Sequence, residues 1–215
     1  MPARPPIPPL YAILDAGIGL GREVESAVYL AKAGVRLIQY RNKKATPRAF
    51  FDISRTICGK LSEYEGVRFI VNDRPDIALL IGAGGVHVGQ DDLPVGEARA
   101  ICGTERWVGI STHSLEQVRA ADDTSADYVA FGPVFDTSTK ERLDPVVGTE
   151  LLRRARELTR KPLVAIGGIT LERARELYEA GADSLAVVRD LIAAEDPSSR
   201  ASEYLAVAAK VFSAK

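Results

Sequence analysis

Cysteine is scarce in this sequence: there are two residues, Cys58 and Cys102, far apart and in no CxxC pairing. That spacing argues against a disulfide framework or a cysteine-based zinc site, and reads the thiols as small buried hydrophobes in helices. Histidine is equally scarce, with His87 and His113 only. No stretch approaches the roughly 18 consecutive apolar residues of a membrane span. Excess charge is missing too, since 28 Lys+Arg stand against 29 Asp+Glu for a formal net charge of −1. A duplex-binding surface needs a basic excess, so nucleic acid is not the expected partner. A local cationic cluster around a small anion remains compatible with that total. The 18 Gly and 12 Pro follow no fixed period, which excludes collagen-like sequence. The start, MPARPPIPPL, holds five of the prolines and lacks the continuous apolar core of a signal peptide. It reads as an extended arm over residues 1–9, leading into one domain over residues 10–215 of a cytoplasmic protein.

What is present is ordinary globular material, 46% hydrophobic and 27% charged. Short apolar runs alternate with amphipathic ones. Strands are expected at Leu10–Leu14, Val35–Tyr40, Val67–Val71, Gly85–Val88, Trp107–Ser111, Tyr128–Phe131, Leu163–Ile166 and Ser184–Val188. Helical spacing lies between them, as in Val24, Ala27, Val28 and Ala31. Thr46-Pro47 reads as an N-cap with proline at the first helical position, and Gly34 and Gly181 stand where helices should stop. The segments AKAGVRLIQ, IGAGGVHVG and EAGADSLAV echo one another as helix end, glycine stop and buried strand. Eight such units without a polar linker predict an α/β fold with one closed parallel sheet, a (β/α)8 TIM barrel. The spacing is roughly 27 residues per unit, near the lower bound of about 25 for that fold. A doubly wound open sheet would need a glycine-rich phosphate loop after the first strand, and ILDAGIGLGRE offers GxGxG without the GxGxxG pattern.

In such barrels the working groups sit at the carboxyl ends of strands. Those positions here are crowded with polar residues: Gln39 to Lys44, Asn72-Asp73, Gln90 to Asp92, Ser111 to His113, and Asp136 to Lys140. Alternation sends Gln39, Arg41 and Lys43 to one side of their strand and turns Asn42 away. Cationic Arg41, Lys43 and Lys140 beside Asp73 and Asp92 could hold Mg²⁺ with a diphosphate, or could form salt bridges at a barrel rim. Gly167-Gly168 could expose N–H groups to a phosphate monoester, together with those after the eighth strand, or could permit tight strand–helix packing. Taken together, the two sets suggest group transfer with diphosphate as the leaving group.

Six motifs in order resemble the thiamine-phosphate synthase family over Tyr11 to about Ile192. They are Gln39-x-Arg41-x-Lys43, Asn72-Asp73, GVHVGQDD, GISTHS, GPVFDTSTK and AIGGI. The resemblance implies a small-molecule transferase that joins 4-amino-5-hydroxymethyl-2-methylpyrimidine diphosphate to a thiazole phosphate and releases diphosphate. It implies that Asp73 and Asp92 hold Mg²⁺. It also assigns Gln39, Tyr40, Arg41, Asn42, Lys43, Asn72, Ser111 and Lys140 to the pyrimidine diphosphate, with Arg41, Lys43, Ser111 and Lys140 catalytic. Thr137 and Thr139, with backbone N–H groups at Gly168, Val188 and Arg189, would hold the thiazole phosphate. Two residues depart from the family pattern: Asn42 stands where Glu is frequent, and Arg189 where a small Ser is usual. The related thiazole tautomerase, which uses a histidine after its fifth strand, makes His113 its candidate base or acid. A phosphate-binding sensor without turnover is the non-enzymatic alternative.

Overall fold

Parallel strands of period two send alternate side chains to opposite faces, and the computed structural model shows where those faces lie. It describes residues 6–137 and 145–214. The chain runs β1 (Leu10–Asp15), α1 (Ala16–Gly19), α2 (Glu23–Lys32), β2 (Leu37–Arg41), α3 (Pro47–Leu61) and β3 (Arg68–Asn72). There follow α4 (Pro75–Leu80), β4 (Gly85–Val88), α5 (Val95–Cys102), β5 (Trp107–Thr112), α6 (Leu115–Asp122) and β6 (Tyr128–Phe131). Then come α7 (Gly148–Leu158), β7 (Leu163–Ile166), α8 (Leu171–Glu179), β8 (Ser184–Val187), α9 (Arg189–Ile192) and α10 (Pro197–Phe212). All eight strands pair in parallel with their sequence neighbours, and β8 returns to β1 through Leu10↔Leu185, so the sheet is a closed barrel. The (β/α)8 expectation is met.

Closure divides the apolar residues by parity. On β1, Leu10, Ala12 and Leu14 pack outward against helices, while Tyr11 and Ile13 face the barrel interior with Leu37, Ile70, Trp107, Tyr128 and Val164. Ile7 joins this inner cluster, so the residues just before β1 close the amino-terminal end of the barrel. Cys58 and Cys102 are free thiols in α3 and α5.

The three echoing segments share one backbone device. In each, the N–H three residues past the last helical residue bonds the carbonyl two residues before it, as Val35 to Leu30, Ala83 to Ala78 and Ala182 to Leu177. The glycine between, Gly34, Gly82 or Gly181, takes positive φ. These are Schellman stops, and they explain why β2 begins at Leu37 rather than Val35: the Val35 N–H already serves the helix. The Thr46 cap forms as expected, its hydroxyl accepting from the Ala49 N–H ahead of Pro47.

Two carboxylates tie units together from below. Asp127 accepts from the Val108 N–H at 2.7 Å and from Arg99 at 2.5 Å, and Asp183 accepts from the Leu163 N–H at 2.7 Å and from Arg156 at 2.7 Å. The first pair is the more enclosed, with side-chain exposures of 14% for Arg99 and 12% for Asp127. Asp127→Ala removes the carboxylate that accepts from the Val108 N–H and neutralises Arg99, and a loss of about 2–4 kcal/mol in urea unfolding is expected. An unchanged midpoint would show that the pair contributes nothing to closure.

Candidate active site

The same parity that fills the interior with apolar groups brings polar ones to the top of the inner face. Asp15 is the last inward residue of β1 and lies in register with Arg41 of β2. Its Oδ2 pairs with the Arg41 guanidinium, and its Oδ1 accepts from the Gly17 N–H at 2.9 Å. Sequence reasoning missed Asp15 as a site residue, although counting by twos from Tyr11 through Ile13 reaches it. One carboxylate thus orients a cation and caps the short turn of α1.

In the 39–43 segment the alternation holds. Gln39 is buried inside the barrel, where its Nε2 donates to the Tyr11 hydroxyl. Tyr40 points the other way and stacks on Phe50 of α3, with ring centroids 5.0 Å apart. Asn42 follows it, donating to the Tyr40 hydroxyl at 3.2 Å while its Oδ1 accepts from the Lys44 and Ala45 N–H groups at 3.0 Å. The resemblance assigned Tyr40 and Asn42 to the substrate with their neighbours. The structure commits both side chains to the helix layer and the following turn, leaving their backbone as the part nearest the mouth. Replacing the family's frequent Glu by Asn42 therefore changes a loop support rather than a charge inside the barrel.

Lys43 meets two carboxylates. Its Nζ pairs with Asp73 and lies 3.7 Å from Asp92. Asp73 adopts φ +60°, uncommon for a residue with a Cβ, and its N–H donates to the His87 carbonyl at 2.8 Å. That bend follows Asn72, which is itself buried at the end of β3. Asp92 accepts from the Gly89 N–H at 2.8 Å, an approach in which a Cβ on Gly89 would meet the carboxylate at 2.9 Å. Burial and the hydrogen bond shared with Asp92 push Asp73 up to about 6, with Lys43 opposing. Burial also works against ionisation of Asp92, but the bond from Asp73, the Gly89 N–H and Lys43 hold it below the usual carboxylate range. Of the two acids, Asp73 therefore holds a proton more readily than Asp92.

Ser111 sits on β5 with its Oγ 2.8 Å from His87 Nε2, and its carbonyl accepts from Gln90 at 2.6 Å. His113 is turned aside, its Nδ1 bonded to the Gly132 carbonyl beside the cis Gly132–Pro133 peptide. The segment after β6 is pinned to β7 by Val134 N–H to Ile166 O at 2.9 Å and Phe135 N–H to Gly167 O at 3.1 Å. Gly168, at φ +60°, leaves room for that segment: a Cβ there would lie 2.4 Å from the Asp136 carbonyl. Arg173 braces the same turn, donating to the Gly168 carbonyl at 2.6 Å with its guanidinium 4.1 Å above the Phe135 ring. Thr137 is among the described residues, and Thr139 and Lys140 lie outside them. Val188 follows β8 as the N-cap of α9, and Arg189 opens that helix as an exposed residue.

With this geometry in place, the comparisons are direct. The family model for thiamine monophosphate synthase matches residues 10–191. The chain is 47% identical over 206 residues to the thiamine-phosphate synthase of Koribacter versatilis, covering 94% of this chain and 96% of that one. It is 39% identical to that of Shouchella clausii over 92% of this chain and 94% of the relative. The solved thiamine phosphate pyrophosphorylase from Pyrococcus furiosus superposes with a TM-score of 0.86 at 35% identity, over 94% of this chain and 96% of that chain. The chain belongs to the thiamine monophosphate synthase family. Within this thiamine monophosphate synthase fold, the mouth gathers Arg41, Lys43, Asn72, Asp73, Asp92, Ser111 and Gly168 at successive strand ends. The Gly168 turn gives the sharpest local test. Gly168→Ala should cost at least about 1 kcal/mol in denaturant unfolding from its left-handed backbone, with added cost from the Asp136 contact. Gly96→Ala, with nothing within 4 Å of its Cβ, should leave stability unchanged or slightly raised. Equal behaviour of the two variants would contradict the close approach.

Proposed function

We propose that this chain is a thiamine-phosphate synthase, and that the mouth of its barrel joins 4-amino-5-hydroxymethyl-2-methylpyrimidine diphosphate to a thiazole phosphate. The observation that carries this reading is the cluster at the ends of β2, β3 and β4, where one ammonium, Lys43, faces the two carboxylates of Asp73 and Asp92 beside the Asp15-held Arg41. Two carboxylates set against a single ammonium leave one negative charge unmatched, which a divalent cation would neutralise.

The residues fit Mg²⁺. Both candidate ligands are hard carboxylates that already converge on a single positive charge, and Mg²⁺ is commonly held by one or two carboxylates with phosphate oxygens completing its shell. No group of three or more His, Cys, Asp or Glu that could hold a metal occurs among the described residues, so a closed protein cage is not the design there. When bound, the ion would supply positive charge to the diphosphate leaving group.

The chain's own residues would do the rest. Arg41, Lys43 and Lys140 would stabilise charge that grows on the diphosphate as the C–O bond to the pyrimidine methylene breaks and its electron pair departs with oxygen. The aminopyrimidine delocalises the cation left behind. The thiazole nitrogen would then donate its lone pair to that carbon, held in line by its distant phosphate. Thr137, Thr139 and the N–H groups of Gly168, Val188 and Arg189 are the proposed phosphate contacts. Gln39, Asn72 and Ser111 would orient the pyrimidine diphosphate, and the 39–43 backbone would contribute at Tyr40 and Asn42. No protein nucleophile is required, consistent with free, partly or fully buried cysteines. A cytoplasmic setting is part of the same proposal. No helix among the described residues is long and apolar enough to cross a membrane.

Incubation of the purified protein with Mg²⁺ and both phosphorylated substrates should yield diphosphate and thiamine phosphate in equal amounts. Tautomerisation of a carboxythiazole phosphate without that product would favour the His113-dependent alternative, and ligand binding without any turnover would favour a sensor. Asp92→Ala should lower Mg²⁺-dependent turnover by about 100-fold or more while circular dichroism and the melting transition stay native. Unchanged turnover would remove Asp92 from the site.

A further inference from the structure

Beneath the mouth, a continuous line of hydrogen bonds crosses the barrel interior. Gln39 Nε2 bonds the Tyr11 hydroxyl, Tyr11 bonds Tyr128 at 2.9 Å, Tyr128 bonds His87 Nδ1 at 3.0 Å, and His87 Nε2 bonds Ser111 Oγ at 2.8 Å. Four of the five side chains are buried, and the fifth, Ser111, is at the mouth. The line crosses the otherwise apolar inner cluster. Buried polar groups there carry a cost unless each is satisfied, so the arrangement is specified by the sequence rather than tolerated.

Its packing is equally specific. The Tyr128 ring lies over Gly109, where a Cβ would fall 2.0 Å from the ring carbon. It stacks on His87 with centroids 5.5 Å apart and meets Tyr11 edge-on at 5.9 Å. A residue with any side chain at position 109 would displace the ring and break the line.

Donor arithmetic gives the line a direction. The Gln39 amide nitrogen can only donate, so the Tyr11 oxygen accepts from it. The single proton of Tyr11 then goes to Tyr128, and that of Tyr128 to His87 Nδ1. An accepting Nδ1 leaves the imidazole proton on Nε2, which donates to Ser111 Oγ. Ser111 Oγ accepts from below, and its own proton is left to point away from the line. Burial raises the pKa of both phenols, which therefore keep the protons this scheme needs.

We infer that Tyr11, Tyr128 and His87 are positioning residues that fix the Nε2–H form of His87 and thereby hold Ser111 as a hydrogen-bond donor toward the diphosphate. This inference rests on the proposed synthase reading for the role of Ser111. It extends that reading to three side chains that carry no substrate assignment of their own.

The test separates the two. With two histidines in the chain, ¹⁵N-histidine spectra are assigned by one His113→Asn variant. His87 should show a protonated Nε2 and an unprotonated Nδ1, and Tyr128→Phe should shift it to a mixture of tautomers. A wild-type His87 carrying its proton on Nδ1, or on both nitrogens, overturns the inference without any assay of turnover. Kinetically, Tyr128→Phe should lower kcat/KM for the pyrimidine diphosphate on the order of tenfold. Ser111→Ala should lower it at least as much, and the double variant should match Ser111→Ala alone. Losses that multiply would mean that Tyr128 does not act through Ser111, which overturns the inference. A Ser111→Ala variant with full activity defeats the substrate role of Ser111, while the spectra still decide the direction of the line. Tyr11→Phe, which removes one hydroxyl farther back, provides the same kinetic and spectral readouts should Tyr128→Phe fail to fold.

Discussion

Closure of an eight-stranded parallel sheet is the constraint on which the remainder of this molecule depends. Once β8 pairs with β1, every strand has an inside and an outside, and no edge is left for a side chain to escape to. The outside must be apolar because helices cover it. The inside must be filled, because a barrel of this size has room for side chains and little else. At the top of the inside, where filling ends, successive strands deliver their last inward residue to one rim. Asp15, Arg41, Ser111 and the residues just past Asn72 arrive there as a consequence of parity, with no need for a separate device to gather them.

The rim pairs its charges within itself. Arg41 is paired with Asp15, and Lys43 with Asp73 and Asp92, so two cations stand against three carboxylates there. The carboxylates are the enclosed partners, while the Lys43 side chain is half exposed. The raised Asp73 carboxyl and the lowered Asp92 carboxyl show the strain of placing two acids together. A site that handles a metal and a polyanion has reason to keep that arrangement, since the same groups that repel each other attract the cation. Below the rim the interior does a different job. Instead of only apolar filling, it contains a satisfied polar line from Gln39 to Ser111, which extends the order of the core to the reacting surface.

Much of the fold was legible in the residues. Each expected strand appears within about two positions, because a strand buried on both faces leaves a dense apolar run bounded by glycine or polar residues. The glycine stops were legible as well, and the two-residue shift at Val35 arose because a helix carries its last hydrogen bond into what looks like strand. In the site, the Gln-x-Arg-x-Lys spacing indicated correctly that Asn42 turns away, while motif matching alone carried Tyr40 and Asn42 along as contacts. Asp15 was missed although the period-two count from Tyr11 reaches it, and the Tyr11–Tyr128–His87 line was missed because it has no local signature. Tyr11 and Tyr128 are 117 residues apart and read simply as strand aromatics until the barrel brings their hydroxyls together.

The sequence by itself therefore determined the alternation of strands and helices, the family, and the residue types at each strand end. Those properties are written in short-range spacing, which a linear chain expresses directly. Only the tertiary structure decided which acids stand side by side, which cation each carboxylate holds, and which tyrosines meet across the barrel. Such contacts join residues from different strands, and they exist only after closure has set the register between neighbours and removed water from the interior between them.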